Sequence, residues 1–309
     1  MKANQMKVKV KPEARMNATR CMKIAADLIN GKTDSSAMFL AENPTSITKI
    51  GTWENAVSKL IKLADQLADP NCTTIVHSAF SIFNEDGNVK LPFAAFSSMA
   101  IIDCAGYGEC GKWCYSKTAW RYPNAWGRQV ANSMLLRSPK GRKLIAEAFH
   151  KLKSPILRLY VDGDFHSKDC LQFWMDLIKE REDVQVYGYS KSWVEFIALK
   201  LSGYTFPTNY MLNLSSGSRH DNTLREIMLQ LPITRGEFIA VNVAQRHMKS
   251  KAYQSKRNEG HAEYAKDVRL SAGRRVFVCA GKCGDCLPDG THACGSSRMN
   301  GVTIAIGVH

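Results

Sequence analysis

The hydrophobic pattern changes character partway along the chain. Ile24, Ala25, Leu28 and Ile29 recur at helical spacing and stop at Gly31, which predicts a helix near 14–30. Trp53, Val57, Leu60, Ile61, Ala64 and Leu67 make a second apolar stripe that ends before Pro70. From about residue 74, short apolar runs alternate with amphipathic stretches. The runs 91–102, 156–165, 184–192, 209–217, 237–245, 276–280 and 302–308 read as strands. Between them KGRKLIAEAFHKL, KDCLQFWMDLIKER, SWVEFIALKLSG and TLREIMLQL keep the 3.6-residue period of helices. Such alternation predicts an α/β fold: a parallel sheet or partial parallel β/α barrel over 74–309, preceded by a basic helical region over 1–73.

Polar residues gather where these strands end: Asp162-Gly163-Asp164, Ser190-Lys191-Ser192, Asn213 with Ser215-Ser216, and Asn242 with Gln245. Parallel α/β folds bind ligands beyond the carboxyl ends of their strands. Helix N-caps prefer the same residue types, and Asp164 is expected to cap the helix after Ser167. Capping explains one residue per loop, not three. The string Asp162-x-Asp164-x-His166 also has the donor types of a hard-cation site.

Ten cysteines add chemistry to this frame, seven of them in two groups. Cys104, Cys110 and Cys114 follow the first strong strand; Cys279, Cys283, Cys286 and Cys294 follow the penultimate one. Thiolates interleaved with glycine suit a soft metal or an iron–sulfur cluster, because glycine lets the backbone wrap the centre and donate N–H groups to sulfur. Four thiolates within sixteen residues, with His292 beside them, satisfy either a [4Fe-4S] cluster or tetrahedral zinc. Seven exceed the need of one zinc, which favours iron–sulfur. Cys21, Cys72 and Cys170 lack grouped partners and read as small buried hydrophobes. The polar start and the lack of any apolar run near 20 residues lead to the expectation of a soluble, cytoplasmic protein with reduced thiols.

The formal charge of +14 favours a polyanionic partner, most often nucleic acid. Residues 1–24 carry seven basic side chains against Glu13, and residues 246–275 carry nine against three acidic ones. Lys7, Lys9, Arg121, Arg128, Lys249, Lys251, Lys256 and Arg257 are the candidate nucleic-acid contacts. The stretch 246–275 reads as a helix-poor, substrate-facing loop. Trp113, Trp120 and Trp126, mixed with Lys117, Arg121 and Arg128, suit either stacking on a single strand or walling a cluster from water. No phosphate-binding glycine loop, G-x-S-x-G elbow or H-E-x-x-H string occurs.

Two resemblances follow from these residues. The position of Cys110 and Cys114 after the first strand resembles the cluster loop of radical-SAM enzymes. The third cysteine of that motif would fall at Lys117, so Cys104 would have to replace it. That likeness implies a cofactor site, S-adenosylmethionine in such enzymes, at Gly163, Asp164, Ser190, Lys191 and Asn213. The strings CAGYGECGKWCYSKTAWRYPNAWGRQVAN, RLYVDGDFHS, YGYSKSW and CAGKCGDCLPDGTHACG resemble the phage and mobile-element family called gene product eighty-eight. By position, this likeness covers Cys104, Cys110, Cys114, Tyr115, Arg128, Asn132, Asp164, Lys191 and the four terminal cysteines. It implies a phage, plasmid or integrated-element setting. Three functions stay open: an iron–sulfur protein that binds nucleic acid, a radical-SAM-like redox enzyme, and a zinc-stabilised adaptor.

Overall fold

A computed structural model describes residues 16–42, 50–75, 80–87, 91–244, 259–281, 283, 286–287 and 292–308. Three helices come first: α1 (Ala18–Ile29), α2 (Asp34–Glu42) and α3 (Ile50–Ala68). The short strands β1 (Phe83–Asn84) and β2 (Ala94–Phe96) lead into α4 (Ser116–Ala119), α5 (Pro123–Leu136) and α6 (Pro139–His150). Strands and helices then alternate as β3 (Ile156–Leu159), α7 (Lys168–Lys179), β4 (Gln185–Ser190), α8 (Trp193–Leu201), β5 (Tyr210–Ser215), α9 (Asn222–Leu229) and β6 (Thr234–Val241). Helix α10 (Glu259–Ala272), β7 (Phe277–Val278) and β8 (Ile304–Gly307) complete the order.

Among the described residues these strands form one sheet, ordered β1-β2-β3-β4-β5-β6-β8-β7. Every neighbouring pair is parallel except β1–β2. The expected α/β class holds. Closure into a barrel does not appear in the pairing, since no ladder joins β1 to β7 among the described residues. The last strand also inserts between β6 and β7, a crossover that hydrophobic periodicity cannot reveal.

The two-residue period of the strands sorts the faces. Leu157 and Leu159 of β3, Val186 of β4, and Tyr210, Leu212 and Leu214 of β5 enter the main core, with residues of α1, α3, α5, α7 and α8. The alternate positions face the other way: Ile156, Tyr187, Tyr189 and Met211 join Phe238, Cys286 and Cys294 in a second cluster. Helices thus cover one face, and the second cysteine segment covers the other.

Caps fix where the helices begin. Asn17 Oδ1 accepts from Arg20 N at 2.9 Å, Ser167 Oγ from Cys170 N at 3.2 Å, and Asp221 Oδ1 from Leu224 N at 3.0 Å. Ser167, not Asp164, therefore caps α7, which corrects the expected role of Asp164. A second correction concerns 246–275. Its part from Glu259 to Ala272 is helix α10, whose Tyr264 and Val268 are buried against β7 and β8; residues 245–258 lie outside the described residues.

Trp174 of α7 is fully buried, 4.8 Å from the Phe96 ring centre, and donates to the Tyr160 hydroxyl at 3.0 Å. Trp174→Ala removes this contact and leaves a void at the helix–sheet junction. The expected loss is about 3–5 kcal/mol in urea denaturation; a loss under about 1 kcal/mol would contradict this core assignment.

Candidate metal and ligand cavity

The first cysteine group sits on a loop that leaves β2 and crosses the carboxyl ends of its neighbours. Asp103 anchors the loop: its carboxylate is fully buried, pairs with Arg137 at 2.8 Å and accepts from Ser133 Oγ at 2.5 Å, both on or next to α5. Asn132 holds the same junction by donating to the carbonyls of Ile82 and Ser97. Ile101 takes a left-handed φ of 73°, uncommon and strained for a β-branched residue, and its N–H donates to Cys104 Sγ at 3.3 Å. Beyond it, Gly106 lies flat on the end of β4; a Cβ there would stand 1.6 Å from the Lys191 carbonyl oxygen, so only glycine fits. Cys110, on a 3-10 turn over Glu109–Trp113, donates its N–H to the Gly217 carbonyl at 3.1 Å just past β5. Tyr115 hydrogen-bonds the Val161 carbonyl beyond β3. The loop is thereby fastened over the ends of β3, β4 and β5.

The second group returns across the sheet from the opposite edge. Cys279 follows β7, and Gly281 N donates to its sulfur at 3.4 Å. The 3-10 turn Ala293–Gly295 then lies against β4 and β5. Asn213 of β5 explains why: its amide donates to Gly188 O at 3.0 Å and to Cys294 O at 2.9 Å. Arg235 of β6 is 1% exposed and fixes that amide by donating to Asn213 Oδ1 at 2.5 Å. It also donates to the carbonyls of Met299, Val302 and Glu237.

These two crossings bring all seven grouped cysteines onto one cavity of ≈430 Å³. His292, Tyr115, Arg158, Asp162, Gly163, Asp164, Tyr187, Tyr189, Lys191, Ser215, Ser216 and Phe238 share its wall. Cys286 and Cys294 are buried and the other five half-buried. Burial pushes the thiols of Cys104 and Cys279 far up, and that of Cys294 up to about 12, against a hydrogen bond from Tyr189 and the charge of Arg235. His292 is pushed down to about 4 by burial and so is neutral. Its ring lies 4.4 Å from that of Tyr187, and its Nε2 has no hydrogen-bond partner among the described residues.

The candidate cofactor residues divide in two. Gly163, Asp164 and Lys191 line the cavity, whereas Ser190 and Asn213 support it from behind. Asp164 accepts from Ser190 Oγ at 2.7 Å, Lys191 N at 2.7 Å and Phe165 N at 2.8 Å. Asp162 accepts from Ser116 Oγ at 2.6 Å and Ser97 Oγ at 3.0 Å. Burial raises both carboxyls, and those donors oppose the shift. The carboxylates therefore serve separate networks and His166 is not on the cavity wall, so Asp162, Asp164 and His166 do not form one cation-holding group. Lys191 Nζ bonds Ser215 Oγ at 2.7 Å.

Other expectations fare differently. Only Trp113 of the three tryptophans lines the cavity. Trp120 and Trp126 are core: Trp120 donates to Gln129 Oε1 at 3.0 Å, and Trp126 packs 5.4 Å from Trp53. Neither can stack on a nucleic-acid base. Cys21 and Cys170 are buried as expected, whereas Cys72 is only half-buried. Arg121 is exposed and Arg128 partly buried; Lys7, Lys9, Lys249, Lys251, Lys256 and Arg257 lie outside the described residues. Sequence reading missed Arg158 and Arg235, because one arginine inside a strand resembles a solvent-facing position. Among the described residues no helix is long and apolar enough to cross a membrane.

Replacing Arg235 by Met removes a donor from Asn213 Oδ1 and from the carbonyls of Met299, Val302 and Glu237, and leaves the fully buried Asn213 oxygen without it. Arg235→Met should lower stability by about 3–5 kcal/mol and open 292–302 to protease before the helices unfold. Protease resistance equal to wild type would contradict its role as the clamp.

No curated protein and no solved structure matches the chain. The family model GP88, described as Gene product 88, matches residues 58–300, from within α3 to just before β8. The match spans both cysteine groups and every cavity residue placed above. The chain belongs to the phage gene product 88 family.

Proposed function

We propose that the protein holds an iron–sulfur cluster, probed most simply as [4Fe-4S], on cysteines that face the cavity. One observation carries this reading: seven cysteines from two segments distant in sequence line a single cavity. The backbone N–H groups of Ile101 and Gly281, aimed at Cys104 and Cys279, are what cluster sulfurs receive from a protein. Burial disfavours free thiolates here, so a positively charged inorganic centre would supply the charge that keeps them ionised.

Zinc suits the site less well. Tetrahedral zinc needs four donors within about 2.0–2.3 Å of one ion. Among the described residues no three His, Cys, Asp or Glu side chains converge to ring a single ion. That absence bears on a cluster as well, so the preference for iron–sulfur rests on number: seven cysteines share the cavity, three more than one tetrahedral zinc needs. When bound, a cluster supplies one-electron chemistry.

A second reading, a redox enzyme with radical-SAM-like architecture, draws support from the same wall. The first cysteine group follows β2, the first parallel strand, and Gly163, Asp164 and Lys191 leave polar groups beside the thiols. Nucleic-acid binding rests on net charge alone.

The test is anaerobic purification and reconstitution, with iron, sulfide and zinc measured beside the visible spectrum. The expectation is iron and sulfide with charge-transfer absorption, lost in Cys110→Ser and Cys114→Ser and kept in Cys170→Ser. Zinc without sulfide, or equal loss in all three variants, would sink the proposal.

A further inference from the structure

Arg158 is the third residue of β3, and its side chain leaves the sheet on the cavity side, opposite Leu157 and Leu159. Its guanidinium lies over the Tyr189 ring, 4.7 Å from the centroid. Its Nε is sealed from solvent and has no hydrogen-bond partner among the described residues. Among the described residues the side chain forms no ion pair. The two acids on the same wall are already engaged, Asp162 by serines and Asp164 by Ser190 and the Lys191 backbone.

A guanidinium cannot escape this situation by losing its proton. A half-buried guanidinium with no ion pair among the described residues is only partly compensated, and an apolar side chain would serve the position no worse for stability alone. The ring of Tyr189 offers part of the compensation. The remaining donors form a planar fork whose natural complement is a carboxylate or phosphoryl group held by two hydrogen bonds. The same cavity is also lined by the aromatic residues Trp113, Tyr187, Tyr189 and Phe238. The cavity's ≈430 Å³ lies in the range of small-molecule sites, roughly 300–1,000 Å³, and a cluster on its cysteines would take part of that space.

We infer that Arg158 anchors a small-molecule site in the cavity, binding the carboxylate or phosphoryl group of a ligand with a flat, apolar or aromatic body. The site stands on Arg158 and its aromatic walls and does not require the cluster.

The test uses the full chain, purified without oxygen, with benzoate and phenyl phosphate as anionic probes and benzamide as the neutral counterpart. Binding is read by calorimetry and by thermal shift in wild type, Arg158→Met, Arg158→Lys and the exposed-site control Lys200→Met. At least one anion should bind wild type and Lys200→Met saturably and raise their melting temperatures, with benzamide inert. Affinity should fall at least tenfold in Arg158→Met and several-fold in Arg158→Lys, which keeps the charge without the fork. Without probe, Arg158→Met should melt no lower than wild type. Anion binding that survives in Arg158→Met, matches that of benzamide or fails in wild type would overturn the inference. So would an Arg158→Met chain that melts well below wild type, because the guanidinium would then have a protein partner. Iron measured in the same samples should not change; iron lost from Arg158→Met would instead assign the guanidinium to the thiolates. Failure of the anion site with iron retained leaves the cluster reading standing.

Discussion

The hydrogen bonds of one buried guanidinium hold the second cysteine segment against the sheet. Arg235 reaches from β6 to the Asn213 amide and to the carbonyls that precede β8, and Asn213 in turn grips the Cys294 carbonyl. Arg235, Asn213 and Cys294 are buried, so the Arg235 guanidinium and the Asn213 amide would carry a desolvation penalty if their partners left. The segment that begins at Cys279 could otherwise lie anywhere along the strand ends. This node commits it to cross back over β4 and β5.

The first segment is held by a different device on the same side of the molecule. Buried Asp103 ties its root to α5, and close backbone contacts at Gly106 and Cys110 seat its tip on the loops after β4 and β5. Barrel closure is therefore unnecessary for the groups to meet. Two loops from opposite ends of the strand order converge above the centre of an open sheet. The strand alternation supplies the floor: Arg158, Tyr187 and Tyr189 project where leucines and valines would project on the helix side.

Much of this was legible in the residues. Strand cores from β3 to β8 and helices α1, α3 and α6 to α9 fall where periodicity places them, because each has one face that must be buried. The cysteine groups declared themselves by spacing. Helix α5 was not legible: its buried face mixes Gln129, Asn132 and Ser133 with apolar side chains, which blurs the period. Helix α10 was hidden by its charge, since few apolar residues, among them Tyr264, Ala265, Val268 and Ala272, mark its packed side. The roles of Asn213 and Arg235 depend on partners about 65 to 80 residues away, and no local pattern encodes such distances.

Thiol proximity tests the shared cavity most directly. A short bifunctional thiol reagent, applied to the reduced native protein and mapped by peptide mass spectrometry, reports which cysteines lie within its span. Convergence predicts cross-links joining Cys104, Cys110 or Cys114 to Cys279, Cys283, Cys286 or Cys294, and their disappearance in denaturant. Cross-links confined to each group in the native protein would contradict a common wall.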